Sequence, residues 1–402
     1  MDVILQVFVI FVAAKVAAEL FVRLTLPAIA GELLVGVILG PHVAGIVDVT
    51  EATRTLSELG IVILLFAVGL ETPLSGLLAV GRAALVTSLA GIVAAVGSGF
   101  LVVWAFGHGP AEALFVGTAL AASSVGVAAR VFQDLGLIST AQAHVVIGAA
   151  VVDDVVTLAL FPLVQGFGRH GASVAGILVG LTGALLFLAL VAVVGSRLAA
   201  RHPALLARPR VRRGPFVLSL ALCLGLAALA EQVGLAALVG AFLAGMVLAE
   251  TKDHYELDRR MQPLVDFLVP FFFVVTAASM DPGRVFSGSL GLTLALVVVT
   301  MAAKFGGCAA GAMGLDVRSR LEVGAGMVPR NEVTLVVAAA GLAAGRIGKD
   351  VFSVVVAAVI VSTLAGPGLL RMAIPAGHRR KPRQADEGPP EAAGPAAEPN
   401  RP

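Results

Sequence analysis

Residues 144–165 read HVVIGAAVVDDVVTLALFPLVQ, an apolar run with two adjacent aspartates, Asp153 and Asp154, at its middle. About 20 apolar residues span the hydrocarbon of a bilayer, so the run is long enough to cross one. A carboxylate at that depth costs roughly 2.5 to 3.5 kcal/mol on insertion scales, and two in succession argue for a cation that they serve. The competing reading is a loop between two short buried helices. It lacks support, because no Gly-Pro or Asn-Gly turn chemistry lies near the pair. Neighbouring side chains on a helix project about 100° apart, so the two carboxylates face different partners that the rest of the chain has to supply.

Composition extends this reading to the whole chain. With 402 residues, 58% hydrophobic and 13% charged, and a mean hydropathy of +0.98, the sequence belongs with integral membrane proteins. A net charge of +2 gives no support for nucleic-acid binding. The two cysteines, Cys223 and Cys308, both lie in apolar segments and imply neither a disulfide framework nor a metal site. No H-E-x-x-H and no G-x-S-x-G stretch is present, so an intramembrane enzyme is not expected, and no cofactor is implied. The first apolar run lacks a basic n-region and carries Lys15 and Glu19, which reads as a retained helix and not as a cleaved signal.

Cutting the chain at Pro, Gly and charge clusters predicts thirteen helical segments, at about 3–23, 28–40, 56–72, 82–107, 111–137, 139–165, 171–200, 214–232, 236–251, 261–280, 286–315, 319–344 and 348–373. The membrane domain thus covers 1–375. The remainder, 376–402, is rich in Pro, Ala, Glu and Arg and reads as a disordered tail with no nucleotide-binding domain after the membrane part. The seventh connection carries Arg197, Arg201, Arg208, Arg210, Arg212 and Arg213, whereas the opposite side holds Arg54, Arg169, Arg284, Arg346 and Lys349. The positive-inside rule then places the N-terminus outside and the C-terminus in the cytoplasm of a cell membrane.

A weak repeat divides the chain. LVGVIL in the second segment and LAGMVL in the ninth share one pattern, and each is followed by an apolar run that closes on an acid and a proline, Glu71 to Pro73 in one half and Asp281-Pro282 in the other. An offset of seven helices is odd, so the halves are inverted in the membrane, an arrangement of secondary transporters whose site lies at the midplane.

Four segments carry polar groups near their centres: Thr118, Ser123, Ser124 and Gly126 in the fifth, the Asp pair in the sixth, Lys304 in the eleventh, and Pro329-Arg330-Asn331-Glu332 in the twelfth. Each has a local explanation. The hydroxyls could bond their own i−4 carbonyls, Lys304 could snorkel, and Arg330 could pair with Glu332 in a loop. Jointly these require four independent frame errors converging on one depth. A cation site accounts for them together. Pro329 frees a carbonyl and Gly126 beside two hydroxyls permits a break in a second helix, which is tolerated at midplane only inside protein or beside a wet cavity. Arg330 suits exposed helix C-terminal ends and Glu332 N-terminal ones, and Lys304 is a partner for one aspartate, leaving the other for an ion.

The stretches GELLVGVILGP (31–41), LLFAVGLE (64–71), ASSVGVAARVFQDLG (122–136), VVDDV (151–155) and GMVPRNEV (326–333) together resemble the monovalent cation/proton antiporters, in particular bacterial sodium/proton exchangers of thirteen helices. The resemblance covers about residues 5–373. It implies an all-α transporter with two crossed discontinuous helices, and a homodimer. Core helices at about 82–165 and 286–373 would move against dimerisation helices at about 3–72 and 214–280, joined by a linker helix at about 171–200. It further implies that Asp154 exchanges H+ for Na+ (or K+ or Li+), that Asp153 pairs with Lys304, that Ser123 or Ser124 adds oxygens, and that the activity serves pH homeostasis. Asn331 departs from the small residue usual there, and Ser123 from a common Thr. A potassium efflux system is the alternative, but it usually carries a Gln-Asp pair and a cytoplasmic regulatory domain. A sodium-coupled symporter or a non-transporting pH sensor is a weaker competitor. The Asp-Asp pair with Lys304 looks like the electrogenic subgroup.

Overall fold

The structure is a computed structural model that describes residues 3–73, 75, 81–166, 191, 195, 214–232 and 236–374. The expected linker helix at 171–200, the basic connection from Arg197 to Arg213 and the tail from 376 lie outside these residues. The described elements are α1 (Val3–Arg23), α2 (Ala28–Leu39), α3 (Glu51–Leu70), α4 (Arg82–Ala105), α5 (Pro110–Ala119), α6 (Val125–Asp134), α7 (Ala141–Gly166), α8 (Gly214–Gln232), α9 (Ala237–Ala249), α10 (Lys252–Tyr255), α11 (Leu257–Ala278), α12 (Pro282–Ser287), α13 (Leu290–Gly311), α14 (Val317–Gly326), α15 (Glu332–Ala343) and α16 (Lys349–Ala373). Among the described residues there is no strand, and eight helices are long and apolar enough to cross a membrane.

Most boundaries fall within a few residues of the hydropathy segments, and the exceptions have local causes. The third helix starts at Glu51 and not near 56, because Thr50 accepts from the Thr53 N–H while its own N–H donates to the Thr53 hydroxyl. The eleventh segment is divided: Asp281 caps the short α12, and α13 begins only at Leu290. At Asp281 slight burial opposes ionisation. It is outweighed by the Arg284 N–H, His42 at 3.7 Å and the Arg284 side chain, so the carboxyl stays below the usual range. Asp316, which caps α14, is likewise held low by hydrogen bonds from Ser319 and then from the Arg318 N–H.

Packing between the two halves is reciprocal. Helix α3 lies against α9 and α11 against α2; α4 pairs with α13; α6 lies against α16 and α14 against α7. These pairs match segment for segment between the halves, as two structurally related repeats require. Close backbone approach makes this possible in lipid, where small residues rather than hydrophobic burial let helices associate. At the α3–α9 crossing, a Cβ on Gly69 would run into the Phe242 carbonyl and one on Gly245 into that of Phe66. Outward faces remain apolar: Ile4, Phe8, Val16 and Leu20 on α1 and Leu294 and Val298 on α13 are exposed, the surface expected to meet acyl chains.

Candidate functional site

Two helices break at the same place. The fifth expected segment is α5, a non-helical stretch 120–124, then α6; the twelfth is α14, a stretch 327–331, then α15. Helix ends release unsatisfied N–H and C=O groups, and here the two breaks satisfy each other. The Ser124 N–H donates to the Pro329 carbonyl at 2.8 Å, and the Ser123 hydroxyl donates to the Met327 carbonyl at 3.0 Å. Arg330 Nη1 reaches the Ala122 carbonyl at 3.4 Å, and the Thr363 hydroxyl donates to the Arg330 carbonyl at 3.2 Å. New helices then start on side-chain caps: Ser124 Oγ accepts from the Val127 N–H, and Asn331 Oδ1 from the Thr334 N–H.

This corrects one expectation. Gly126 does not carry the break: it lies inside α6, and none of residues 120–124 has a positive φ, so no glycine is needed there. The hydroxyls of Ser123 and Ser124 are engaged in closing the breaks and bond neither aspartate.

The Asp pair sits at the middle of α7, facing these breaks, and its two members have different surroundings. Asp153, fully buried, accepts from Lys304 Nζ at 2.7 Å through Oδ2 and from the Ser88 hydroxyl at 2.7 Å through Oδ1. Lys304, also fully buried, donates a second hydrogen bond to the Ala121 carbonyl in the α5–α6 break at 2.6 Å. A buried ion pair holds only when further hydrogen bonds satisfy both ions, and here Ser88 and Ala121 do so. Space for the ammonium comes from Gly91 on α4, where a Cβ would meet the Cys308 sulfur and come within 3.3 Å of Lys304 Nζ.

Asp154, 5% exposed, has no cationic hydrogen-bond partner among the described residues. Its Oδ1 accepts from Asn331 Nδ2 at 2.6 Å, the one hydrogen bond the carboxylate makes there. Charges of Glu332, Asp153 and Lys304 act on it, and Glu71 in turn acts on Glu332. Glu332, half-buried, occupies the first turn of α15, where the helix dipole favours an anion. Arg330 is 1% exposed and gives Nη2 to the Thr300 carbonyl at 3.3 Å, while its Nε has no partner among the described residues. The buried hydroxyl oxygen of Thr157, one turn along α7 from Asp154, is likewise unpartnered, as is that of Thr334.

The site therefore combines a closed ion pair with an adjacent, incompletely satisfied carboxylate. Such a carboxylate has capacity for a proton or a small monovalent cation, with hydroxyl and carbonyl oxygens at hand. Ser88, Thr157 and Thr300 were not singled out by sequence reasoning, since a lone hydroxyl in an apolar run carries no sign of what it faces. Asn331 was visible as a substitution in a motif, but its role as a donor to Asp154 was not.

Comparison with known proteins agrees with this architecture. The sodium/hydrogen exchanger transmembrane family matches residues 8–374. The chain is 32% identical to the Na+/H+-K+ antiporter GerN of Bacillus cereus, with 91% of this chain and 95% of that protein covered. It is 30% identical to the high-affinity Na+/H+ antiporter NhaS3 of Synechocystis sp., covering 92% and 89%. Among solved structures, the sodium proton antiporter MjNhaP1 of Methanocaldococcus jannaschii superposes with a TM-score of 0.74 at 17% identity, over 93% of this chain and 98% of that one.

Proposed function

This chain belongs to the sodium/hydrogen exchanger family, a family of cation/proton antiporters, and from that premise we propose that its exchange runs through Asp154, with Na+ and H+ competing for one carboxylate. The observation that carries this reading is the asymmetry of the pair: Asp153 is closed by Lys304 and Ser88, whereas Asp154 holds a single neutral donor. Adjacent carboxylates titrate as a coupled pair, so the proton lost on Na+ entry belongs to the cluster and not to one atom. At low pH the proton occupies Asp154 and Na+ cannot enter. At higher pH Na+ displaces it, and a rigid-body shift of the core helices against the dimerisation helices re-exposes the loaded site to the other side.

In this reading Asp153 and Lys304 hold the breaks and the charge balance together, Arg330 and Glu332 compensate the helix ends, and Ser123 and Ser124 fix the crossing beside which the ion sits. The two serines also offer supplementary oxygens to the ion, since Ser123 Oγ spends only its proton on the Met327 carbonyl and keeps its lone pairs, and Ser124 Oγ accepts a single N–H. The protomer is taken to work as a homodimer in the cell membrane, with its N-terminus outside. Cysteines introduced at Arg212 and at Gly171 should label from opposite faces of intact cells, Arg212→Cys from the cytoplasm; labelling of both from one face would remove the inverted topology.

The test of the exchange itself is proton flux in proteoliposomes, driven in turn by Na+, Li+ and K+. Flux with Na+ above that with K+ is the expected outcome. Equal or greater flux with K+ would replace sodium exchange by the potassium reading, to which the Na+/H+-K+ relative lends support. Co-movement of H+ and Na+ in one direction would exclude antiport.

A further inference from the structure

Asn331 makes two hydrogen bonds that fix the orientation of its amide. The Thr334 N–H can only donate, so the atom facing it at 3.4 Å is the carbonyl Oδ1, and the NH2 is turned to Asp154 Oδ1 at 2.6 Å. The side chain is 3% exposed and lies at the start of α15, so a donor is built permanently against the carboxylate that the exchange reading uses. A hydrogen bond to an ionised carboxylate is stronger than one to its neutral form, and so favours the ionised state.

We infer that Asn331 is a positioning residue that sets the pH at which Asp154 gives up its proton to a cation: the amide holds Oδ1, leaving Oδ2 as the atom on which H+ and Na+ compete. The inference rests on Asp154 being the exchanging group. The charged groups acting on that carboxylate are Asp153 beside it, Lys304 from α13 and Glu332 from α15, with Glu71, at the C-cap of α3, acting on Glu332. None of these donates a hydrogen bond to it, since Lys304 is committed to Asp153 and Ala121. Asn331 alone among the described residues can tell the charged form from the neutral one by contact.

The two functions of the amide separate by substitution. Serine and aspartate are both good N-caps, so Asn331→Ser and Asn331→Asp retain the bond to Thr334. The first replaces the NH2 that reaches Asp154 by a shorter hydroxyl held at the Thr334 N–H, and the second sets an acid in its place. The expected result is a graded alkaline displacement of the pH profile of Na+-driven proton flux. Asn331→Ser should move it by about one unit, the order expected for one hydrogen bond to a charged group, and Asn331→Asp should move it further. At fixed pH below the midpoint, the Na+ KM of Asn331→Ser should rise about tenfold and approach that of the unsubstituted protein as pH increases. Were Asn331 only a cap, both variants, which keep the bond to Thr334, would leave the midpoint in place.

An unshifted or acid-shifted midpoint in Asn331→Ser overturns the inference. Should Asn331→Ser fail to assemble, an unshifted midpoint in Asn331→Asp overturns it equally. Measuring Asp154→Asn in the same vesicles separates the two claims: if it is inactive while Asn331→Ser is unshifted, only the role of Asn331 falls; if it keeps full flux, the exchange reading itself falls.

Discussion

Asp154→Asn should bring cation-dependent proton flux down to the level of protein-free vesicles while the protein still inserts and folds. The substitution is nearly isosteric and replaces a buried carboxylate by an amide, so it removes a desolvation cost and leaves the packing of α7 unchanged. Assembly should therefore survive. Function should not, because an amide neither takes up nor releases a proton in the working range and presents a neutral oxygen where Na+ needs an anion. The neighbouring Asp153 cannot substitute. Both its oxygens are occupied, by Lys304 at 2.7 Å and by Ser88 at 2.7 Å, and the rotation of about 100° per helical residue separates its direction from that of Asp154. The measurement is Na+-driven dequenching of a pH dye, with size-exclusion profiles to confirm folding. Flux within a few-fold of the unsubstituted protein would remove Asp154 from the role assigned to it.

The second large effect concerns charge per cycle. If Lys304 stays protonated throughout, the cation-loaded site holds two carboxylates, Na+ and an ammonium and sums to zero. The proton-loaded site, with Asp154 neutral, also sums to zero, and the cycle moves no net charge. If a second group of the cluster also changes protonation when Na+ binds, two protons exchange for one Na+ and one net charge crosses. We propose that the second proton leaves from the Asp153–Lys304 pair. The ammonium is held by Asp153 and by the Ala121 carbonyl, both in elements that meet at the site. A bound cation that draws Asp153 away would break that pairing.

We expect Na+-driven exchange to generate a membrane potential, and Asp153→Asn to weaken or abolish that component. Removing one partner of a buried pair costs about 3–5 kcal/mol if the other charge persists, so the variant has no intact pair to serve as the second site. Current on a solid-supported membrane gives the test. Exchange that generates no potential and ignores an imposed one would leave antiport standing and eliminate the two-proton cycle.

Much of the architecture was legible because hydropathy in a membrane is a local property. A run of about 20 apolar residues forms a helix wherever it lies, since lipid offers the backbone no other hydrogen-bond partners. Accordingly, the expected segments that fall on described residues are helical apart from the breaks at 120–124 and 327–331 and the division before α13, and they include the two short ones that carry the repeat, α2 and α9. Polar residues in such runs cost energy, and that cost marked Asp153, Asp154, Lys304 and the 329–332 stretch by position alone. The matching helix pairs in the two halves also follow from a pattern that the repeat had announced.

What the linear chain left open is rotational and not axial. Depth along a helix can be counted from its ends, but the direction in which a side chain points depends on how the helix is turned by its neighbours. Spacing alone did not decide which aspartate Lys304 takes; the α4–α13 contact, with Gly91 making room, sets the ammonium against Asp153. The α5–α6 break falls at the two serines, but the glycine beside them was misjudged as its cause for a related reason. Gly126 is a local signal, whereas the break is held by bonds to Met327, Pro329 and Arg330 some 200 positions away. Asn331 shows the limit most clearly. Its chemistry as an N-cap is written in the sequence, but that its amide also reaches Asp154 is decided only where α15 starts against α7, because a contact across 177 positions leaves no local trace in either segment.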